Sequence, residues 1–312
     1  MPRHDSIFKG LLRSFFADLL ILAVPDLAAR LDLAHPVLLD KEFFTLGGRR
    51  RELDLLVEVA FLEGGGDSLL IHVEVEARAR ADMGRRLWRY RRQIQAVHDS
   101  HVLSFVVYLE RGRAGVQMQA LDEHLLGADL APFRYVAFGL AGCDPAEYLA
   151  RPEPLAWGLA ALMRKGTFTR PALKLACMGR IAAADLDEAK RGLLVNCVET
   201  YLELNPEVAA EYAAFCTVPE NREVRAMATT WMERVEAKGM EKGLQKGLRK
   251  GQQQGLRALR KVLLSLLEQR FGPLSTETRA QVEAITSVAR LARLSERVLT
   301  ARSLATLRLQ SP

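Results

Sequence analysis

Apolar residues fall at helical spacing from the start of the chain: Ile7, Phe8, Leu11, Leu12, Phe15, Leu19 and Leu22 share one stripe. This predicts an amphipathic helix over residues 5–22, closed by Pro25. Three extended runs follow, over residues 37–45, 52–62 and 68–77, with Gly47-Gly48 and Gly64-Gly65-Gly66-Asp67 as turn signals between them. They predict a meander of two hairpins. Helical spacing returns over residues 80–97, where Met83, Leu87, Tyr90, Ile94 and Val97 form one seam. The continuous apolar run Val102–Leu109 is too short for a core helix and rich in β-branched and aromatic residues, so it predicts a central strand, with Val116–Leu121 and Tyr135–Leu140 as further strands. A helix between two strands implies a crossover. The fold class is therefore α/β, a mixed sheet flanked by helices, in a domain ending near residue 145.

From Pro154 onward the pattern is helical. Within it Gly239, Gly243, Gly247, Gly251 and Gly255 recur every four residues, with Lys238, Lys242, Lys246 and Lys250 beside them. The lysines exclude burial in hydrocarbon. Each glycine costs a helix interior about 1 kcal/mol relative to Ala, so this segment is either a helix that needs a partner, as in a homo-oligomer, or a basic arm or linker on DNA. Beyond it Leu259, Val262, Leu263, Leu266 and Leu267 mark an amphipathic helix ended by Gly272-Pro273, followed by helices over 276–286 and 288–300. The expected division is 1–145 for the α/β domain, 146–237 for a helical region, 238–256 for the glycine-lysine repeat and 257–312 for a small helical domain.

Composition narrows this picture only slightly. A chain of 312 residues with 49% hydrophobic and 26% charged residues has the make-up of a globular protein rather than a disordered one. The run Phe15–Val24 is interrupted by Asp18 and preceded by charged residues, so it does not read as a signal peptide, and no stretch reaches the roughly 18 apolar residues of a membrane span. Cys143, Cys177, Cys197 and Cys216 lie far apart without paired spacing, which predicts buried free thiols and a cytoplasmic location. The net charge of +6 permits nucleic-acid binding without requiring it.

The informative chemistry lies around the Gly64-Gly65-Gly66 turn. Odd positions there are apolar: Leu53, Leu55, Val57, Val59 and Phe61, then Leu69, Ile71, Val73, Val75 and Ala77. Even positions include Asp54, Glu58, His72, Glu74 and Glu76, so the pleat sets acids on one face. A turn centred near Gly65 puts Asp54 opposite Glu76; a shift of two residues puts Asp54 opposite Glu74. Opposed carboxylates about 5 Å apart repel. Either a divalent cation such as Mg²⁺ or Mn²⁺ sits between them, or the face is solvated and balanced by Arg51, Arg78 or Arg80.

The chain resembles the Rpn or YhgA-like family of recombination-promoting nucleases and transposases, in the PD-(D/E)XK superfamily. The resemblance rests on His4-Asp5-Ser6-Ile7-Phe8-Lys9, Arg51-Glu52-Leu53-Asp54, Ile71-His72-Val73-Glu74-Val75-Glu76 and Arg85-Arg86-Leu87-Trp88-Arg89-Tyr90, in that order, over about residues 4–110. It implies a restriction-endonuclease-like sheet and a metal-dependent DNA endonuclease linked to recombination or mobile elements. Asp54 and Glu74 would be the metal-binding acids, and Asp54, Glu74 and Glu76 the catalytic set. Glu76 stands where the superfamily has Lys and these relatives have Gln, and a glutamate cannot supply a lysine's charge to the transition state; Lys41 or Arg78 are candidates to supply it. Loss of activity, leaving a DNA-binding or scaffolding module, is the alternative.

Arg80, Arg85, Arg86, Arg89, Arg91 and Arg92 crowd the helix after the acidic strands. Arg80, Arg85, Arg86, Arg89 and Arg92 are the candidate phosphate contacts, against the plainer reading of a solvated helix face. Trp88 and Tyr90 read as packing residues. Asp5, just ahead of the first apolar stripe, reads as a helix N-cap.

Overall fold

The computed structural model describes residues 2–39, 43–46, 49–63, 67–121, 124–125, 128–129, 133–307 and 309, with the side chains of residues 2–6, 43–46, 49–52, 124–125, 128–129, 234–235, 238–239 and 242 outside that description. Its first compact unit spans Met1–Trp231 and its second Met232–Pro312.

The opening stripe forms two helices, α1 (Pro2–Ser14) and α2 (Phe16–Ala23), rather than one. The backbone leaves helical geometry at Phe15 (φ −123°, ψ 35°). The bonds Phe15 N–H to Leu11 O (3.0 Å) and Leu19 N–H to Phe15 O (3.1 Å) survive, so the apolar stripe continues across the break. Pro25 opens a short α3 (Pro25–Ala28) at a first-turn position, where its missing N–H costs nothing. Because α1 begins at Pro2, Asp5 lies inside the helix and is not its N-cap.

The run 37–45 divides into β1 (Val37–Leu38) and β2 (Phe43–Leu46), separated in sequence by the charged Asp40-Lys41-Glu42. β2 pairs with β3 (Arg49–Glu52) in a separate two-stranded sheet, while β1 pairs antiparallel with the next run, so the expected meander forms through Val37 and Leu38 only and the β2–β3 hairpin is inserted within it. β4 (Leu55–Ala60) and β5 (Ser68–Arg78) make the antiparallel hairpin; the Gly64-Gly65-Gly66 turn itself lies outside the described residues. Then come α4 (Met83–His98) and β6 (His101–Arg111), which runs parallel to β5 through the expected crossover. β7 (Gly115–Leu121), the small pair β8 (His124–Leu125) and β9 (Ala128–Asp129), and β10 (Phe133–Gly139) complete the strands. The main sheet has six strands in the order β1-β4-β5-β6-β10-β7 and is mixed.

Both faces of this sheet are covered. On the odd face, Leu55, Val57, Ile71, Val73, Phe105 and Val107 pack with Leu11, Leu19, Trp157 and Leu194. These partners come from α1, α2, α6 (Pro154–Ala160) and α8 (Glu188–Tyr201), while α5 (Pro145–Leu149) precedes α6 in the chain. α7 (Arg170–Ala182) and α9 (Pro206–Thr217) add Cys177 and Cys216 to the same core. The helical stretch after residue 145 therefore shares one core with the sheet, and the unit extends to Trp231. On the even face, Leu56, Leu70 and Val102 pack under Tyr90 and Ile94 of α4. The acid-bearing face is thus largely covered, with Glu74 buried and Asp54, Glu58 and Glu76 half-buried.

α10 (Arg222–Phe271) is continuous through the glycine repeat, which is helix and not a coil linker. Gly243, Gly247, Gly251 and Gly255 have open space where a Cβ would sit. In the second unit α10 ends at Gly272, whose φ of 82° is the left-handed conformation that favours glycine. α11 (Thr276–Ala284) and α12 (Val288–Val298) follow, capped by the side chains of Ser275 and Ser287. Leu263, Leu267, Val282, Leu291, Leu294 and Val298 form their own core. Among the described residues no helix is long and apolar enough to cross a membrane.

Candidate functional site

The β4–β5 register decides which acids meet. The last rung pairs Leu55 with Val73, so the next residue of each strand brings Asp54 towards Glu74, the register shifted by two. Asp54 sits at a bend just before β4, where the ladder ends. Its Oδ2 accepts the Val75 N–H at 2.9 Å, and its own N–H donates to Glu74 Oε1 at 3.4 Å. Ladder groups left over at the strand end thereby lock the two acids together. Glu76 follows one pleat later. Glu58 lies apart, accepting the Ser68 hydroxyl at 2.6 Å.

Burial makes this cluster costly unless it is paired. Glu74 is 2% exposed, and the Asp54 and Glu76 side chains are 14% and 19% exposed. Two cations answer them. Lys9 Nζ, from the third turn of α1, lies 2.9 Å from Asp54 Oδ1. Arg86, from the first turn of α4, donates one guanidinium nitrogen to Glu74 and another to Glu76. It also stacks 5.7 Å over Tyr90, whose ring meets His72 edge-on at 5.4 Å. His72 is fully buried, with Nε2 3.2 Å from Glu74 Oε1.

Electrostatics divide the two acids. Burial, reinforced by the Glu74 charge and only partly offset by the Val75 N–H and Lys9, pushes the Asp54 carboxyl up to about 6. Burial acts on Glu74 too, but His72 and Arg86 outweigh it and hold that carboxyl below its ordinary value. The raised Asp54 value records first the loss of water around its carboxyl and second the like charge of Glu74, which Lys9 only partly offsets.

Such a donor set suits a hard cation taken by two carboxylates, as Mg²⁺ commonly is, with its other positions left to water and phosphate. It does not suit a closed protein cage: among the described residues no three His, Cys, Asp or Glu side chains are disposed to hold a metal ion. Asp54 and Glu74 are the fitting pair.

The remaining candidates distribute as follows. Arg86 turns inward onto the acids instead of facing solvent as a phosphate contact. Arg85, Arg89 and Arg92 are exposed on one stripe of α4, Arg92 lying 4.9 Å over Trp88, and Arg91 lies over Phe133. Arg80 is exposed and paired with Asp82, feeling Glu76 only as a lesser charge, and Arg78 is paired with Glu110. Lys41 lies outside the described residues, as does the side chain of Arg51. Tyr90 is buried as a packing residue and Trp88 half-buried. Cys143, Cys177, Cys197 and Cys216 are buried free thiols.

Sequence reasoning assigned no role to Lys9 or His72. The signals existed: Lys9 closes the His4–Lys9 motif, and His72 shares the parity of the acids. Distance in the chain concealed Lys9, while His72 blended with the other polar residues of a face that reads as open. Comparison with known proteins adds no relative: no protein-family model matches the chain, and neither a curated protein nor a solved structure matches it.

Proposed function

We propose that the chain is a Mg²⁺- or Mn²⁺-dependent endonuclease that hydrolyses DNA phosphodiesters, with its six-stranded unit a restriction-endonuclease-like sheet. The observation that carries this reading is the meeting of Asp54 and Glu74, 20 residues apart in sequence, at a ladder end where backbone bonds fix both. Asp54 and Glu74 would hold the ion, which when bound activates water and neutralises phosphate charge. Lys9 beside Asp54 supplies the positive charge that Glu76 cannot. Exposed Arg85, Arg89 and Arg92 give the sequence-independent grip on the phosphate backbone. For Glu74 to present an open oxygen, Arg86 moves off it.

Plasmid nicking with Mg²⁺ or Mn²⁺ tests this directly. Wild type nicks, while Asp54→Ala, Glu74→Ala and Lys9→Ala each lose at least about 100-fold, the scale of removing one preorganised charge from a transition state. Equal activity in wild type and the Asp54 and Glu74 variants would sink the assignment.

Arg86 favours a different reading. Its grip on both Glu74 and Glu76 is what a nuclease fold that has lost its chemistry, and serves as a DNA-binding or scaffolding module, would use in place of an ion. That module binds DNA in a salt-sensitive way without cutting it, and gains no thermal stability from Mg²⁺. A Mg²⁺-dependent rise in Tm argues against it.

A further inference from the structure

Among the described residues three buried polar atoms beside the acids have no partner, Arg86 Nε, His72 Nδ1 and Ser104 Oγ, and the last two belong to adjacent strands. His72 and Ser104 are fully buried. They are direct neighbours across the parallel β5–β6 ladder, in register, so their side chains emerge side by side on the face covered by α4. A buried hydroxyl and a buried ring nitrogen each lose one to three kcal/mol, in order of magnitude, when left unpaired. No apolar substitute at either position would carry that cost.

His72 Nδ1 and Ser104 Oγ are not bonded to each other in this structure, and we propose that a turn of the Ser104 side chain completes a positioning relay for Glu74: the Ser104 hydroxyl then donates to His72 Nδ1, which leaves the ring proton on Nε2, aimed at Glu74 Oε1. The inference deepens the proposed metal site and rests on that reading for its functional consequence. The relay fixes one carboxylate oxygen from the same strand, while Arg86 holds the other from α4 and the Asp54 N–H also donates to the first. Glu74 can then exchange Arg86 for another cation without changing rotamer, because its other anchor stays in place. Partners that orient a ligating side chain typically change metal affinity 10–100-fold when removed, which sets the scale expected here. His72 and Ser104 touch no reacting atom in this scheme; they act only through Glu74.

The test has two independent arms on the full chain. In the first, ¹⁵N–¹H NMR of the imidazole nitrogens reads the tautomer: wild type shows protonated Nε2 and unprotonated Nδ1, and Ser104→Ala shifts the population towards the other tautomer. Protonated Nδ1 with bare Nε2 in wild type, or a tautomer indifferent to Ser104→Ala, overturns the relay. In the other arm, calorimetric titration with Mg²⁺ alone gives a 10- to 100-fold weaker Kd for His72→Leu, a smaller loss for Ser104→Ala, and substantial recovery in His72→Gln, which restores a donor near Glu74. Cooperative unfolding of each variant is checked by tryptophan fluorescence. A folded His72→Leu that binds Mg²⁺ like wild type overturns the positioning role, and so does a His72→Gln no better than His72→Leu. If wild type itself binds no Mg²⁺, the metal reading falls and the tautomer arm alone decides the relay.

Discussion

Acid should stabilise the first unit through Asp54. Its carboxyl stands at about 6 in the folded chain against an ordinary 3.8, because burial removes water and Glu74 adds like charge. A carboxyl whose folded value lies above its unfolded value takes up a proton on folding. Its ionised form therefore weakens the fold above about pH 6, and that penalty is relieved as pH falls from about 6 towards 3.8. Integrating the linkage with those two values gives about 2 kcal/mol of relief between about pH 7 and pH 4.5. Other carboxylates titrate in the same range, so the quantity to measure is the difference between wild type and Asp54→Asn, which keeps an acceptor for the Val75 N–H but cannot ionise. Trp88, Trp157 and Trp231 all belong to the first unit, so tryptophan fluorescence in urea follows that unit alone. Wild type should gain about 2 kcal/mol on Asp54→Asn when the pH is lowered from about 7 to 4.5. A difference that stays flat with pH would refute a desolvated, negatively crowded Asp54, and with it the electrostatic case for a cation at this site.

Three other outcomes follow from particular contacts. Arg86→Met strands Glu74, 2% exposed, without its cation, so urea unfolding should show a loss of about 3 kcal/mol; Mg²⁺ should recover more stability in this variant than in wild type. Gly247→Ala and Gly251→Ala meet open space and should each add about 1 kcal/mol to local helix stability, seen as slower amide exchange across that stretch of α10. Burial pushes the Cys177 thiol up to about 12 and raises Cys197 as well, so neither should react with a thiol reagent at neutral pH until the first unit unfolds.

The sheet was legible because period and length separate its elements cleanly. Val102–Leu109, apolar at every position except Ser104, could only be a strand buried on both faces, and it lies at the centre of the sheet as β6. The helices expected over 276–286 and 288–300 form as α11 and α12, with the side chains of Ser275 and Ser287 capping them. What failed was non-local. The run 37–45 contains strand-forming residues throughout its apolar parts, yet its two halves find different partners, since pairing depends on what lies beside a segment and not on its own propensity. The acids' parity was readable, whereas the solvent state of their face was not. That depended on α4 docking its Tyr90 and Ile94 over it.

This docking changes the meaning of the acids. On an open sheet face, three carboxylates could be screened by water and mobile arginines, and their proximity would say little. Beneath α4 their charge is met by fixed contacts from different parts of the chain: Lys9 from the opening helix, Arg86 from the covering helix, and His72 and the Val75 N–H from the strand itself. Exposed charge pairs contribute little to stability, and buried ones often less than an apolar replacement of similar size. A cluster that leaves Asp54 poorly compensated is therefore a weak way to hold a sheet together. On the proposed function, a cation arriving between Asp54 and Glu74 would offset both the lost hydration of Asp54 and the like charge of Glu74.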